Sequence, residues 1–201
     1  MMNKKRIIFF IAFLLCSIFC FAQNWDIDLL KDVNLHRNHS WDAFFIIVTD
    51  YAAPIAYSVP VFLFLYSVIK KKKLLKNKAK YIICSSALAL IISTLIKHIV
   101  NRPRPFITYP FLQKMIGASS PSFPSGHTSD AFTLAASLSF AFPKWYVIIP
   151  SFCWAFAVGY SRMDLGVHYP TDILASIYIA FFSTAIVFIL FRKYVNKNIV
   201  A

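Results

Sequence analysis

The sequence is poor in charge and in glycine, and it contains no glutamate. Charged residues make up 14% of the 201 residues, glycine occurs four times, and all eight acidic residues are aspartate, whereas 59% of the residues are hydrophobic. This balance excludes an ordinary soluble domain. Glycine and proline are too thinly spread to mark a linker between two domains. The aspartates do not form a carboxylate cage for Mg²⁺, so we expect neither a metal nor another cofactor.

Cysteine is also scarce, and its spacing suggests no chemistry. Cys16, Cys20, Cys84 and Cys153 all lie in apolar segments, and no two of them form a CxxC pair. Metal and redox sites are usually marked by such closely spaced thiols. We therefore interpret the four cysteines as small buried hydrophobic residues.

Long apolar runs dominate the chain, and most have about the 17 to 25 residues that a membrane-spanning helix requires. The runs are residues 7–22, 43–69, 81–100, 126–142, 145–161 and 171–191. They predict an all-α, polytopic membrane bundle of about six transmembrane helices. We interpret the second run as one bent helix, because a bilayer protein tolerates prolines such as Pro54 and Pro60 as kinks.

The first 42 residues differ from the rest of the chain. Residues 1–22 join a basic start to a short apolar core that ends in Cys-Phe-Ala, which fits a cleaved signal peptide and a first transmembrane helix equally well. Cleavage leaves five spans. Residues 23–42 predict a short helix in the outer membrane interface, with Trp25 and Trp41 in an aromatic belt. Residues 43–201 then form the membrane-embedded domain.

The basic residues are divided unevenly between the two sides of the spans. Fourteen of the 21 Lys and Arg residues fall on one side, half of them in residues 70–80. Short basic loops stay in the cytoplasm. We therefore expect a bacterial-type cytoplasmic membrane protein with this loop and the C-terminus on the cytoplasmic side. The net charge of +13 therefore meets anionic lipid headgroups at the inner face and does not indicate nucleic acid binding. The oligomeric state is left open.

A stiff cationic turn follows the third span on the outer side. Lys97 lies in the last turn of the helix, and Arg102 and Arg104 alternate with prolines that bias the backbone toward extended geometry. Arginines held in a stiff turn near a lysine suit a phosphate group.

The fourth span begins with a second polar cluster, Ser120 to Asp130. Ser125 is placed to cap the helix, and Gly126 leaves its first turn open. The N-H groups and dipole of a helix N-terminus favour an anion. His127 lies in the same turn and is a candidate proton donor, since an imidazole titrates near neutral pH.

The third cluster joins the fifth span to the sixth. Arg162 closes the fifth span, Pro170 suits the first turn of the sixth, and His168 and Asp172 lie on either side of that helix start. The carboxylate of Asp172 fits two roles. It can orient the imidazole of His168 as in a catalytic dyad, or it can serve in a helix cap.

Because successive spans alternate in direction, the three clusters are expected to meet in one outer pocket. Two imidazoles, an orienting carboxylate, fixed cations and a helix N-terminus match the needs of phosphoryl transfer. These needs are a nucleophile, an acid for the leaving oxygen and positive charge around the phosphate.

The three clusters resemble the signatures of the type 2 phosphatidic acid phosphatase superfamily in order and spacing. The matching residues are Lys97-(six residues)-Arg104-Pro105, then Pro124-Ser125-Gly126-His127, then Ser161-Arg162-(five residues)-His168-(three residues)-Asp172. The resemblance implies that residues 43–201 are a membrane-embedded phosphatase domain. It also implies a reaction that needs no metal.

In that reaction the resemblance implies that His168 attacks phosphorus to form a phosphohistidine, Asp172 orients it, and His127 protonates the leaving oxygen. It implies that the phosphate oxygens are bound by five residues: Lys97, Arg104, Arg162, Ser125 and Gly126. Arg102 lies outside the signature, and we interpret it as a headgroup contact or plain interface charge. We assign His98 the same status, and we interpret Asp164 as a loop residue or a neighbour that supports Arg162.

A site at the outer end of membrane-embedded helices predicts a lipid-linked phosphate as substrate. Undecaprenyl pyrophosphate, phosphatidic acid and phosphatidylglycerol phosphate fit, with lipid A as an alternative, and the short outer loops favour a small headgroup. A phosphotransferase that uses the same site is a further alternative, and six apolar spans argue against the related vanadate-dependent peroxidases. A non-catalytic lipid-phosphate carrier leaves the pairing of His168 with Asp172 unexplained.

Overall fold

A computed structural model of the chain describes residues 23–195. Within that range the secondary structure is helical, with a single 3-10 turn at His39–Trp41 and no strand. The α-helices of this part of the chain are α1 Gln23–Leu35, α2 Asp42–Asp50, α3 Ala52–Ile69, α4 Lys73–Val100, α5 Pro105–Thr108, α6 Gly126–Ala141, α7 Trp145–Asp164 and α8 Pro170–Val195. The predicted signal peptide or first span, with Cys16 and Cys20, lies outside the described residues.

The second predicted span is interrupted, not merely bent. Helix α2 ends at Asp50 and α3 begins at Ala52, with Tyr51 between them. The cause is Pro54, whose missing N-H cannot bond the carbonyl of Asp50 four residues earlier. Pro60 is accommodated inside α3. The two helices still act as one stretch, since His39–Ile69 is long and apolar enough to cross a membrane.

Two further stretches of the described chain are long and apolar enough to span a membrane, Lys73–Thr108 and Pro170–Phe191. Helices α6 and α7 occupy the fourth and fifth predicted spans but are shorter or more polar. The membrane bundle is thus confirmed, and the count of six spans stays a prediction. Helix α4 begins at Lys73, well before the predicted residue 81, because the Lys, Leu and Ala residues there are good helix formers.

Helix α6 is the centre of the bundle and contacts α3, α4, α7 and α8. Its small side chains let the neighbouring backbones come close, as is common in membrane helix packing. Ala131, Phe132 and Ala135 are almost fully buried and pack against Ala155 and Val158 of α7. The position of α6 at the centre places its N-terminus among the ends of three other helices.

The outer surface of the bundle is apolar, as expected where it faces lipid. Large hydrophobic side chains such as Phe62, Ile99 and Leu190 are exposed. Cys84 and Cys153 are free and also exposed, so the prediction that they are buried is wrong. The interpretation that they are small hydrophobic residues without a chemical role still holds, because such a side chain is as well placed in hydrocarbon as in a protein core.

Helix α1 packs over one end of the bundle and contacts α7 and α8. The sequence predicts only a short helix in the outer membrane interface, but α1 is also packed against the bundle. Leu30 is fully buried against Leu112 and Tyr169. Trp25 and Trp41 are both about half exposed, which fits their predicted place in an aromatic belt.

Candidate active site

A cavity of about 530 Å³ lies where the C-terminal ends of α4 and α7 meet the N-terminal ends of α6 and α8. Its lining comprises Lys97, Arg104, Gly117, Ala118, Ser119, Ser120, Gly126, His127, Asp130, Arg162 and His168. Six of the eight predicted site residues are in this set, and the other two, Ser125 and Asp172, lie directly behind it. The three sequence clusters therefore meet at one end of the bundle.

His168 and Asp172 form a hydrogen-bonded pair across the start of α8. Nδ1 of His168 lies 3.2 Å from Oδ2 of Asp172, and both side chains are buried. On the other side of the ring, Nη1 of Arg104 lies 3.0 Å from Nε2. A guanidinium can only donate and an ionised carboxylate can only accept. The imidazole is therefore assigned the tautomer with a proton on Nδ1 and a lone pair on Nε2.

The protonation state of His168 suits a nucleophile. Burial lowers the pKa of the imidazole to about 3, although the hydrogen bond to Asp172 opposes the shift. The ring is accordingly neutral at physiological pH. A neutral ring with its Nε2 lone pair toward the cavity is the form that attacks phosphorus.

The carboxylate of Asp172 makes the contacts that both of the roles left open by the sequence require. Helix α8 starts at Pro170, as predicted, and Oδ2 of Asp172 accepts from the backbone N-H of Tyr169 at 3.0 Å. The same oxygen accepts from the hydroxyl of Ser122 and faces His168. The cap holds the carboxylate where it orients the imidazole.

Arg104 is fixed by the chain around the cavity. Its Nε donates to the carbonyl of Ser120 at 2.8 Å, and Nη1 donates to the carbonyl of Val167 at 2.9 Å. The residue is buried and still lines the cavity. A guanidinium held in this way keeps its positive charge at the cavity wall.

Lys97 and Arg162 supply the other two cations of the cavity. Nζ of Lys97 donates to the carbonyls of Pro121 and Pro124 at 2.8 and 2.9 Å. Arg162 is 3% exposed, its Nη1 donates to Thr49, and its Nε has no hydrogen-bond partner within residues 23–195. A buried guanidinium normally pairs with an anion. The unpaired Nε therefore points to an anionic ligand in this cavity.

The N-terminus of α6 faces the same space. Ser125 caps the helix, as predicted, and its side chain accepts from the backbone N-H of Thr128. Ser125 is fully buried and does not line the cavity, so its hydroxyl is used in the cap. Gly126 and His127 do line it, and a Cβ at Gly126 would meet nothing within 4 Å. The first turn thus leaves room for a phosphate beside the N-H groups.

The interpretation of Arg102 as a headgroup contact or plain interface charge is corrected by its contacts. Its Nη1 donates to Oδ1 of Asp172 at 2.8 Å, and its Nη2 donates to Asp26 at 2.6 Å. The family signature is a spacing in sequence, which says nothing about the residues between its fixed positions. His98 is exposed at the end of α4, in line with the interpretation as an interface residue.

Two parts of the cavity wall have no role assigned to them from the sequence. Asp130 lies three residues after His127 and so on the same face of α6, a spacing that could have indicated it. Its carboxylate accepts from the hydroxyl of Tyr57 at 2.8 Å. The stretch from Gly117 to Ser120 belongs to a loop without a distinctive pattern. Within residues 23–195, no cluster of three or more His, Cys, Asp or Glu side chains could hold a metal ion.

Comparison with known proteins adds a family and a fold. The model of the PAP2 superfamily matches residues 78–196. Undecaprenyl-diphosphatase BcrC of Bacillus subtilis is 30% identical over 146 residues, which cover 72% of each chain. The crystal structure of LpxE from Aquifex aeolicus aligns with a TM-score of 0.72 and 28% identity, covering 81% of this chain and 94% of that one.

A second solved structure shares the fold. The transmembrane PAP2-type phosphatidylglycerolphosphate phosphatase from Bacillus subtilis aligns with a TM-score of 0.70 over 96% of both chains. Its sequence identity is 23%, so this likeness concerns the fold alone.

Proposed function

The chain belongs to the PAP2 superfamily of membrane phosphatases, and from that premise we propose that it hydrolyses lipid phosphates through a phosphohistidine at His168. The observation that carries the proposal is the state of His168. Its Nδ1 is held by Asp172, and its Nε2 lone pair lies at a cavity lined by three cations. Nucleophile, orienting carboxylate and phosphate-binding charge are thus together in one site.

In the first half of the proposed reaction, Nε2 of His168 attacks phosphorus and the bond to the lipid oxygen breaks. Arg104 covers Nε2 in the free enzyme, and we propose that its N-H groups turn to the phosphate oxygens as substrate enters. Lys97, Arg162 and the N-terminal turn of α6 hold the remaining negative charge. The negative charge of the bound phosphate group favours the protonated form of His127, which then gives its proton to the leaving oxygen.

In the second half, water attacks the phosphohistidine and the bond between nitrogen and phosphorus breaks. His127, now neutral, takes a proton from that water. Inorganic phosphate leaves, and His168 returns to its neutral form with a proton on Nδ1. Asp172 stabilises the positive ring in the intermediate through this Nδ1-H, and Arg104, Lys97 and Arg162 remain on the phosphate oxygens.

The substrate class follows from the surroundings of the cavity. Asp130 in the cavity wall bonds Tyr57, and Tyr57 is exposed on the apolar surface of the bundle. We propose that a lipid with its chains in the bilayer brings its headgroup sideways between α3 and α6, past this hydrogen bond. We propose a lipid phosphomonoester or diphosphate. Among these substrates we place undecaprenyl diphosphate first, because the alignment with the undecaprenyl-diphosphatase BcrC covers 72% of this chain.

Purified protein in detergent is expected to release phosphate from lipid phosphates in excess EDTA at the rate seen without it. The physical reason is that side chains supply all the positive charge of the proposed site. The measurement is phosphate release from undecaprenyl diphosphate, phosphatidic acid, phosphatidylglycerol phosphate and lipid A, with no acceptor added. Activity that requires added Mg²⁺ would contradict the mechanism, and release only with an acceptor would indicate a phosphotransferase.

The cavity is proposed to open toward the periplasm or exterior. This follows from the basic loop between α3 and α4, which lies at the opposite end of α4 from Lys97. A reporter enzyme that works only in the cytoplasm is expected to be active when fused after Ala201, whereas one that works only outside the cytoplasm is expected to be inactive there. A fusion that reports from outside would invert the orientation of the bundle and put the active site in the cytoplasm.

A further inference from the structure

Arg102 lies behind the catalytic pair and bridges two carboxylates. Its Nη1 donates to Oδ1 of Asp172 at 2.8 Å, and its Nη2 donates to Oδ2 of Asp26 at 2.6 Å. Arg102 is not among the residues that line the cavity. Its effect on the reaction therefore passes through Asp172 and not through contact with the phosphate.

The guanidinium of Arg102 is held on several sides. Nη1 also donates to Oγ1 of Thr171 at 2.7 Å. The Cζ atom lies 3.6 Å from the centroid of the Tyr169 ring, a close stacking arrangement. A planar group with bidentate donors and a ring against its face has little freedom to rotate. A lysine could not reproduce this set of contacts.

Asp26 brings helix α1 into this network. The residue is 2% exposed, and both of its carboxylate oxygens are bonded. Oδ1 accepts from the backbone N-H of Thr171 at 2.8 Å, and Oδ2 accepts from Arg102 and from the Thr171 hydroxyl at 2.6 Å. A helix that precedes the family match by more than 40 residues thus supports the first turn of α8.

The two oxygens of Asp172 have different tasks. Oδ2 faces His168, Tyr169 and Ser122, whereas Oδ1 faces Arg102. Rotation of the carboxylate about its Cβ-Cγ bond would carry Oδ2 away from the imidazole. The contact with Arg102 opposes that rotation and thereby keeps Nδ1 of His168 bonded.

We infer that Arg102 is a positioning residue for the phosphoryl-transfer step and that Asp26 of α1 holds it against Asp172. This inference rests on the proposed function, because it assigns Asp172 and His168 their catalytic roles. It makes α1 part of the catalytic apparatus and not only an anchor at the membrane surface. A network of charged hydrogen bonds behind a catalytic residue commonly changes the rate by about ten- to a hundredfold when it is broken.

The first test compares turnover in four variants. Arg102→Gln is expected to lower kcat about a hundredfold, and Asp26→Asn about tenfold, with KM within about twofold of the wild type because neither residue touches substrate. Asp28→Asn is the matched control, since Asp28 is exposed on the same helix. An Asp26→Asn variant that turns over as fast as Asp28→Asn would overturn the inference.

The fourth variant separates positioning from loss of structure. Asn34 anchors the other end of α1, where its Nδ2 donates to the carbonyls of Gln113 and Asp164 at 3.0 and 2.8 Å. Asn34→Ala is expected to lower the thermal unfolding midpoint while kcat stays within about twofold. If Asn34→Ala and Asp26→Asn lose kcat in proportion to their loss of thermal stability, α1 is only structural and the inference fails.

A second readout does not depend on the choice of lipid. Orthovanadate mimics the five-coordinate phosphorus of phosphoryl transfer, so its affinity reports on the alignment of His168. Isothermal titration is expected to show about tenfold weaker vanadate binding in Arg102→Gln than in the wild type. Absence of phosphate release from every lipid would refute the proposed function alone. Equal vanadate affinities in the two proteins, or no binding by either, would refute the positioning role.

Discussion

Replacing His168 with alanine is expected to reduce phosphate release by at least about 10⁴-fold, because His168 is the imidazole whose Nδ1 proton is held by Asp172 and whose Nε2 lone pair is left to attack phosphorus. The residue is 1% exposed, so the truncation also leaves a small void beside Asp172. His168→Asn retains a donor to Asp172 and fills part of that void. We expect both variants to be equally inactive in a phosphate-release assay with a lipid phosphate.

The control for this prediction is His98→Ala. His98 is exposed at the end of α4, one residue after Lys97, and it takes no part in the cavity. We expect its activity to match the wild type within about twofold, as for most exposed substitutions. Thermal unfolding in detergent shows whether the His168 variants are folded. Turnover near the wild-type level in a folded His168→Asn protein would exclude His168 as the nucleophile.

Asp172→Asn is expected to lower kcat by about 10³- to 10⁴-fold with little change in KM. The physical reason is the tautomer of His168. An amide at position 172 can donate to Nδ1, which places the ring proton on Nε2 and removes the lone pair that attacks phosphorus. A carboxylate-to-amide change beside a catalytic histidine typically has an effect of this size.

This substitution also disturbs the cap of α8. Oδ2 of Asp172 faces both Nδ1 of His168 and the backbone N-H of Tyr169, so an amide nitrogen placed there to donate to Nδ1 leaves that N-H without its acceptor. The thermal unfolding midpoint is therefore expected to fall modestly, whereas turnover is almost lost. A loss of less than tenfold in kcat, measured over a range of substrate concentrations, would mean that Asp172 serves mainly as a cap.

The sequence was sufficient to predict that the candidate residues lie together, because each cluster has a local physical signature. Ser125 before an open glycine turn predicted the cap of α6, and Pro170 predicted the start of α8. Hydrophobicity placed the spans, and their alternating direction brought His127 and His168 to the same end of the bundle. These inferences need only short-range patterns and the geometry of a bilayer.

The contacts that sequence analysis missed are all long-range. Arg102 and Asp26 are 76 positions apart, and no local pattern joins them. Asp26 lies in a segment that predicts only a short interfacial helix, so neither partner gives a reason to expect the other. Similarly, the interruption at Tyr51 depends on whether the bundle supports the carbonyl freed by Pro54, which the sequence does not state.

The central claim is a covalent phosphohistidine at His168, and trapping it is the most direct test. The enzyme is mixed with a ³²P-labelled lipid phosphate for a single turnover and quenched in alkali, and the labelled peptide is identified by mass spectrometry. We predict label on His168 that is stable in alkali and lost in acid. Label on Asp172 as a hydroxylamine-sensitive acyl phosphate, or product formed in the first turnover with no label on the protein, would contradict the mechanism.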